Sequence, residues 1–138
     1  MMRSIIYRMV SAMSKLDLTM LVLPLVFMVH KYEEIIMFEP WLRSNREELR
    51  RRFPQFAQFF ERSGHFDYST STFAIGTTHE FLLVAVISTL AVWQGGYAWW
   101  FAVFSAHFVH LIIHIIQWIV YRKYVPVIVT TILSPSML

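Results

Sequence analysis

The stretch from Tyr97 to Tyr121, YAWWFAVFSAHFVHLIIHIIQWIVY, contains no Asp, Glu, Lys or Arg and is followed at once by Arg122-Lys123. At ~1.5 Å per residue it is long enough to cross ~30 Å of hydrocarbon, so it reads as a membrane helix. Working outward, a second span is read from Phe73 to Trp93, closed by Gly95-Gly96. A first is read from Leu16 to Phe38, with Pro24 as a candidate kink and Glu39-Pro40 as the expected stop. Val125 to Leu133 lies between Pro126 and Pro135 and is too short for a complete crossing, so it reads as a partial or re-entrant helix. The expected fold class is all-α. One membrane-embedded domain over residues 1–138 forms a polytopic transmembrane helical bundle, with three full spans plus a short C-terminal apolar segment.

Composition agrees. Hydrophobic residues make up 57% and charged residues 15%, which argues against a water-soluble enzyme, and 17% aromatic content argues against disorder. With no cysteine, a disulfide framework, a thiolate metal site and a cysteine nucleophile are all excluded, and metal chemistry would have to use His, Glu or Asp. The net charge of +3 sits beside apolar runs, so it is read as topology and lipid contact and not as nucleic-acid binding. Trp41, Trp93, Tyr97, Trp99, Tyr121 and Tyr124 fall near the expected water boundaries.

The one sizeable polar stretch runs from Arg43 to Ser71. Ser44 and Glu47 have capping-box spacing. Leu49, Phe53, Phe56 and Phe60 recur at helical spacing opposite Arg46, Arg50 and Glu61, which predicts an amphipathic interfacial helix in the first loop. A connecting role is the commoner one for such a helix; a lid over a lipid route is the functional alternative. His65 is expected to be solvated. Arg43, Arg46, Arg50, Arg51, Arg52, Arg62, Arg122 and Lys123 would share one face of the membrane, against Arg3, Arg8 and Lys15 on the other. The positive-inside rule then makes the basic first loop cytoplasmic, in a plasma (inner) membrane.

Ionisable groups within spans cost about 2.5–3.5 kcal/mol each for the charged types. Eight need explaining: His30, Glu33, Glu34, His79, Glu80, His107, His110 and His114. His30, Glu33 and Glu34 share one helix face, and His107, His110 and His114 form a narrower stripe that Gln117 continues as a supporting partner. His79 and Glu80 diverge by about 100°, so both reach one site only if it lies between helices. Counting from the cytoplasmic ends, Glu34, His79, His30, His114 and His110 lie roughly 6 to 16 Å deep, and His107 roughly 21 Å. Any one of these histidines is as readily a helix contact as a ligand, and Glu33 or Glu34 has Lys31 as a possible partner. Several at one depth on three helices suit Zn, Fe or Mn.

At His30-Lys31-Tyr32-Glu33-Glu34 the chain resembles the HXXEE family of small integral membrane proteins. The resemblance continues through His79-Glu80, the histidine-rich third span and Tyr124-Val125-Pro126. It implies a polytopic membrane protein with a polar intramembrane site, and no particular reaction.

The function expected is an integral membrane metalloenzyme acting on a lipid or other apolar substrate. One or two transition-metal ions, Zn or Fe, would be held by His30, Glu33, Glu34, His79, Glu80, His107, His110 and His114, and a two-metal site is the sharper expectation. Glu34 and Glu80 would serve as catalytic carboxylates, in oxidative di-iron chemistry or zinc-assisted hydrolysis. The rival is a non-enzymatic metal or proton carrier, or a small subunit binding haem or quinone. A bundle this thin is expected to form a homodimer.

Overall fold

The computed structural model describes residues 13–137. They form α1 (Lys15–Arg52), α2 (Pro54–Arg62), a 3-10 turn at His65–Asp67, α3 (Thr70–Gln94), α4 (Tyr97–Tyr121) and α5 (Ile128–Met137). The all-α class holds. Arg3 and Arg8, weighed above for topology, lie outside the described residues.

A reciprocal cap starts α1: Ser14 Oγ accepts the Asp17 N–H at 3.1 Å, and the Asp17 carboxylate accepts the Ser14 N–H at 2.9 Å. The helix then runs 38 residues, through both Pro24 and Pro40. A proline strands the carbonyl four residues earlier. For Pro24 that carbonyl is Met20's, and the Trp100 indole N–H donates to it at 3.3 Å. Pro40 is bracketed from outside. The Glu39 carboxylate accepts the Thr70 N–H and hydroxyl at 2.6 and 2.7 Å, and the Trp41 indole donates to the Tyr124 carbonyl at 2.8 Å. The expected stop at Glu39-Pro40 is thus corrected, and so is the helix start at Ser44, which lies inside α1.

The amphipathic loop helix is also redrawn. Leu49 belongs to the end of α1, the chain bends at Phe53, and Pro54 opens α2 in the first turn, where no N–H is needed. Arg50 ties α2 back onto α1 through Glu61, with contacts of 2.6 and 2.8 Å.

Among the described residues two helices, α3 and α4, are long and apolar enough to cross a membrane. Three full spans are not supported. The first helix has the length, but Lys31, Glu33, Glu34 and Glu39 interrupt its apolar stretch.

Cross-links along the bundle give its sense. Trp100 meets Met20, His110 meets His30 and the Tyr121 hydroxyl donates to Asn45, so α1 and α4 run parallel. Glu39 meets Thr70 and Lys31 meets Glu80, so α3 runs the other way. The short α5 packs on both α1 and α4. One apolar cluster gathers Met20, Leu23, Phe27, Val84, Ala91 and Trp100; a second gathers Leu42, Leu49, Ala57, Phe66, Tyr121, Val125 and Ile128. Residues 30–34 of α1 and 107–114 of α4 fall between them, which places the costly polar groups in a layer closed by apolar packing on either side.

Candidate metal centre

His30 is fully buried, and its ring centroid lies 5.5, 5.3 and 5.5 Å from those of His107, His110 and His114. One ligating atom each from His30, Glu34, His110 and His114 lies within 4.8 Å of all the others. His110 Nε2 and His114 Nε2 are 3.0 Å apart. Glu34 Oε1 is 3.9 Å from His114 Nε2, and Oε2 is 4.0 Å from His110 Nε2. Bonds of 2.0–2.1 Å in a tetrahedral zinc site would set such atoms about 3.3 Å apart, so the group would have to contract to hold an ion.

Hydrogen-bond counting assigns the tautomer of His30. The single Thr130 hydroxyl proton goes to Glu33 Oε2 at 2.7 Å, so at the 3.2 Å contact between Thr130 Oγ1 and His30 Nδ1 the imidazole donates. That leaves His30 Nε2 a bare lone pair, buried and without a partner among the described residues. A stranded buried acceptor of this kind is what an absent ligand would satisfy. His114 is oriented similarly: its Nδ1 lies 2.9 Å from Gln117 Oε1, which leaves Nε2 to face His110. Gln117 thus stands where its place on the stripe suggested.

Glu33 is not in the group. Its carboxylate accepts the Tyr124 hydroxyl at 3.0 Å and the Thr130 N–H at 2.8 Å, capping the first turn of α5, where free N–H groups and the helix dipole favour an anion. Burial, and then the bond to Glu33, push the Tyr124 phenol up to about 12. The turn before α5 is strained: Val127 is fully buried at φ 70, a conformation costing a β-branched residue about 1–2 kcal/mol.

Neither α3 residue enters the group. The inward face of α3 is Thr77, Val84, Ser88 and Ala91, and His79 lies roughly 200° around the helix from Thr77. Its ring is exposed and Nδ1–H donates to the Ile75 carbonyl of its own helix at 2.8 Å. Glu80 stops short: its Oε2 is 3.5 Å from Lys31 Nζ, and its side chain is 59% exposed. His107 is buried edge-on to His30 and Phe27 but is outside the four-residue group, and among the described residues neither of its nitrogens has a hydrogen-bond partner.

Two residues carry more than the sequence suggested. The Lys31 ammonium is buried 2.7 Å from Glu34 Oε2, at the group itself. Its spacing to Glu34 is the available signal, and it predicts only a pairing along one helix. Thr130 had no signal, because a hydroxyl in an apolar segment is ordinarily spent on its own helix.

A cavity of about 430 Å³ adjoins the group. Glu34, His110, His114 and Gln117 contribute its polar lining, while Leu49, Phe53, Phe56 and Phe60, the stripe expected to lie on the headgroups, form much of its apolar wall. His65, expected to be solvated, is half-buried on the same cavity and contacts Ser63 Oγ at 2.5 Å.

Residues 21–138 match the family described as protein of unknown function with HXXEE motif. The chain belongs to the HXXEE family. Comparison with curated proteins and with solved structures finds no match. In this HXXEE protein the motif splits by role. His30 and Glu34 face the α4 histidines, and Glu33 anchors α5.

Proposed function

We propose that this HXXEE protein is a membrane-embedded metalloenzyme in which His30, Glu34, His110 and His114 hold one divalent transition-metal ion, zinc or iron, beside a cavity for a lipid or other apolar substrate. The observation that carries the reading is the convergence of four ligating atoms from two helices within 4.8 Å, including a ring whose lone pair has no other partner. Three imidazoles and a carboxylate suit zinc or iron better than calcium or magnesium. Four ligands serve one ion, so this reading replaces the two-metal expectation, and only one such group is found among the described residues. Membrane insertion is supported by α3 and α4 and by the apolar side chains they expose, among them Leu82, Leu83, Val86, Phe101, Ile116 and Ile119. We place the basic end of α1, Arg43 to Arg52, on the cytoplasmic side of a plasma (inner) membrane.

A bound ion would supply Lewis acidity, and iron would add redox chemistry. The protein's part is positional. Thr130 and Gln117 hold two imidazoles in the tautomers that present Nε2. The aromatic wall excludes water and accepts an apolar chain. Glu34 completes the ligand set. Glu80, beyond Lys31, no longer serves as the base.

Metal content of the full chain purified in detergent tests this reading. We expect one zinc or iron per chain, lost in His114→Ala. An equal content in His114→Ala overturns it. The carrier alternative draws on Glu34, His114 and His110, with separations of 3.9 and 3.0 Å, because intramembrane carboxylates and imidazoles in sequence can pass a proton. A metal-free protein that conducts protons into vesicles would favour it.

A further inference from the structure

Lys31 is the buried ion that the ligand set does not use. Its ammonium lies 2.7 Å from Glu34 Oε2 and 3.5 Å from Glu80 Oε2, near the faces of Phe27 and Phe73. Its side chain is 8% exposed. A buried ammonium has to be paired, and here two carboxylates compete for one.

Binding a metal turns that competition into a constraint. The Glu34 oxygens stand 3.9–4.0 Å from the α4 imidazole nitrogens, beyond the about 3.3 Å of a tetrahedral site, so Glu34 has to shift toward the histidines and loosen its hold on Lys31. An ammonium left with no partner would oppose that shift and repel the incoming cation. Glu80 already stands within reach. Charge tells the same story. Glu34 and Glu80 bring two carboxylates to one ammonium, so a cation that takes Glu34 leaves Lys31 and Glu80 as a matched pair.

Building on the metal site proposed above, we infer that Lys31 is a positioning residue, a counter-cation that holds Glu34 while no metal is bound and passes to Glu80 when a divalent cation takes Glu34. Only the ion pairs exchange. This gives the exposed Glu80 of α3 a task that direct ligation does not.

The test is zinc affinity of the metal-stripped full chain in detergent, read by competition with a chromophoric chelator, with helical content and monodispersity checked for each variant. Glu80→Gln removes the second partner and should weaken zinc binding by about tenfold or more. Lys31→Met removes the competitor, so the double variant Lys31→Met/Glu80→Gln should bind within about twofold of Lys31→Met alone. Lys31→Arg keeps a cation that reaches both carboxylates and should stay near wild type, with Glu80→Gln still weakening binding in that background. Two outcomes overturn the exchange while leaving the metal site standing: Glu80→Gln binding like wild type, or the same Glu80→Gln loss with Lys31 and without it. No zinc binding by the wild type, or unchanged binding in His114→Ala, is instead the failure of the metal site itself.

Discussion

Glu33 and Thr130 lie 97 positions apart and share two hydrogen bonds, from the Thr130 N–H at 2.8 Å and from its hydroxyl at 2.7 Å. The pair docks α5 on α1, and because the hydroxyl proton is committed to Glu33, the same oxygen receives the His30 Nδ1–H. The short last segment therefore has a role that its length did not suggest. It completes the environment of the motif histidine.

Thr130→Val, nearly isosteric, removes the hydroxyl contacts to Glu33, His30 and the Val127 carbonyl. Zinc affinity is expected to fall by about 10- to 100-fold with helical content unchanged, because His30 loses the group that fixes its tautomer. Affinity equal to wild type, measured by the same chelator competition, would show that Thr130 does not orient His30.

Histidine truncations separate ligands from bystanders. His30→Ala, His110→Ala and His114→Ala are each expected to lose bound metal on purification, whereas His79→Ala and His65→Ala retain it. An eight-residue ligand set that includes His79 predicts loss there as well. Metal analysis showing loss there, with His114→Ala still loaded, would return the site to α3.

What could be read in advance followed from periodicity. The spacing of His107, His110 and His114 placed them on one stripe, and the apolar lengths of α3 and α4 emerged nearly intact. What could not be read depended on distant partners. Pro40 looks like a helix stop until the Glu39–Thr70 and Trp41–Tyr124 bonds bracket it. His79 looks like a ligand until the inward face of α3 is known, and Glu80, at the edge of that face, reaches Lys31 and not the histidines. Lys31 reads only as a partner for Glu33 or Glu34, because its other neighbour in space, Glu80, is on another helix.

Acid sensitivity is expected at Glu48. Hydrogen bonds from Lys123 at 2.8 and 2.9 Å, and then from Arg52 at 2.8 Å, hold its carboxyl down at about 2 from an ordinary 4.5. A depressed folded-state value means its stabilising contribution is present above about 4.5 and lost as pH falls toward about 2. The wild-type melting temperature should drop more steeply across that window than that of Glu48→Gln. Parallel curves would remove the ion-pair cluster from the account.

Arg122 ends α4 at φ 60, in the left-handed region, with its N–H bonded to the Trp118 carbonyl at 2.8 Å. Glycine adopts this conformation without the side-chain clash, so Arg122→Gly should stabilise the fold by about 1 kcal/mol in detergent unfolding. A lower melting temperature would mean that the Arg122 side chain contributes more than its backbone costs.

X-ray absorption at the metal edge of the zinc-loaded chain tests the central claim most directly. The account predicts one ion bound by three imidazole nitrogens and a light-atom oxygen at about 2.0–2.1 Å, with the imidazole scattering reduced in His110→Ala. A shell of oxygens alone, or the same imidazole count after that substitution, would contradict it.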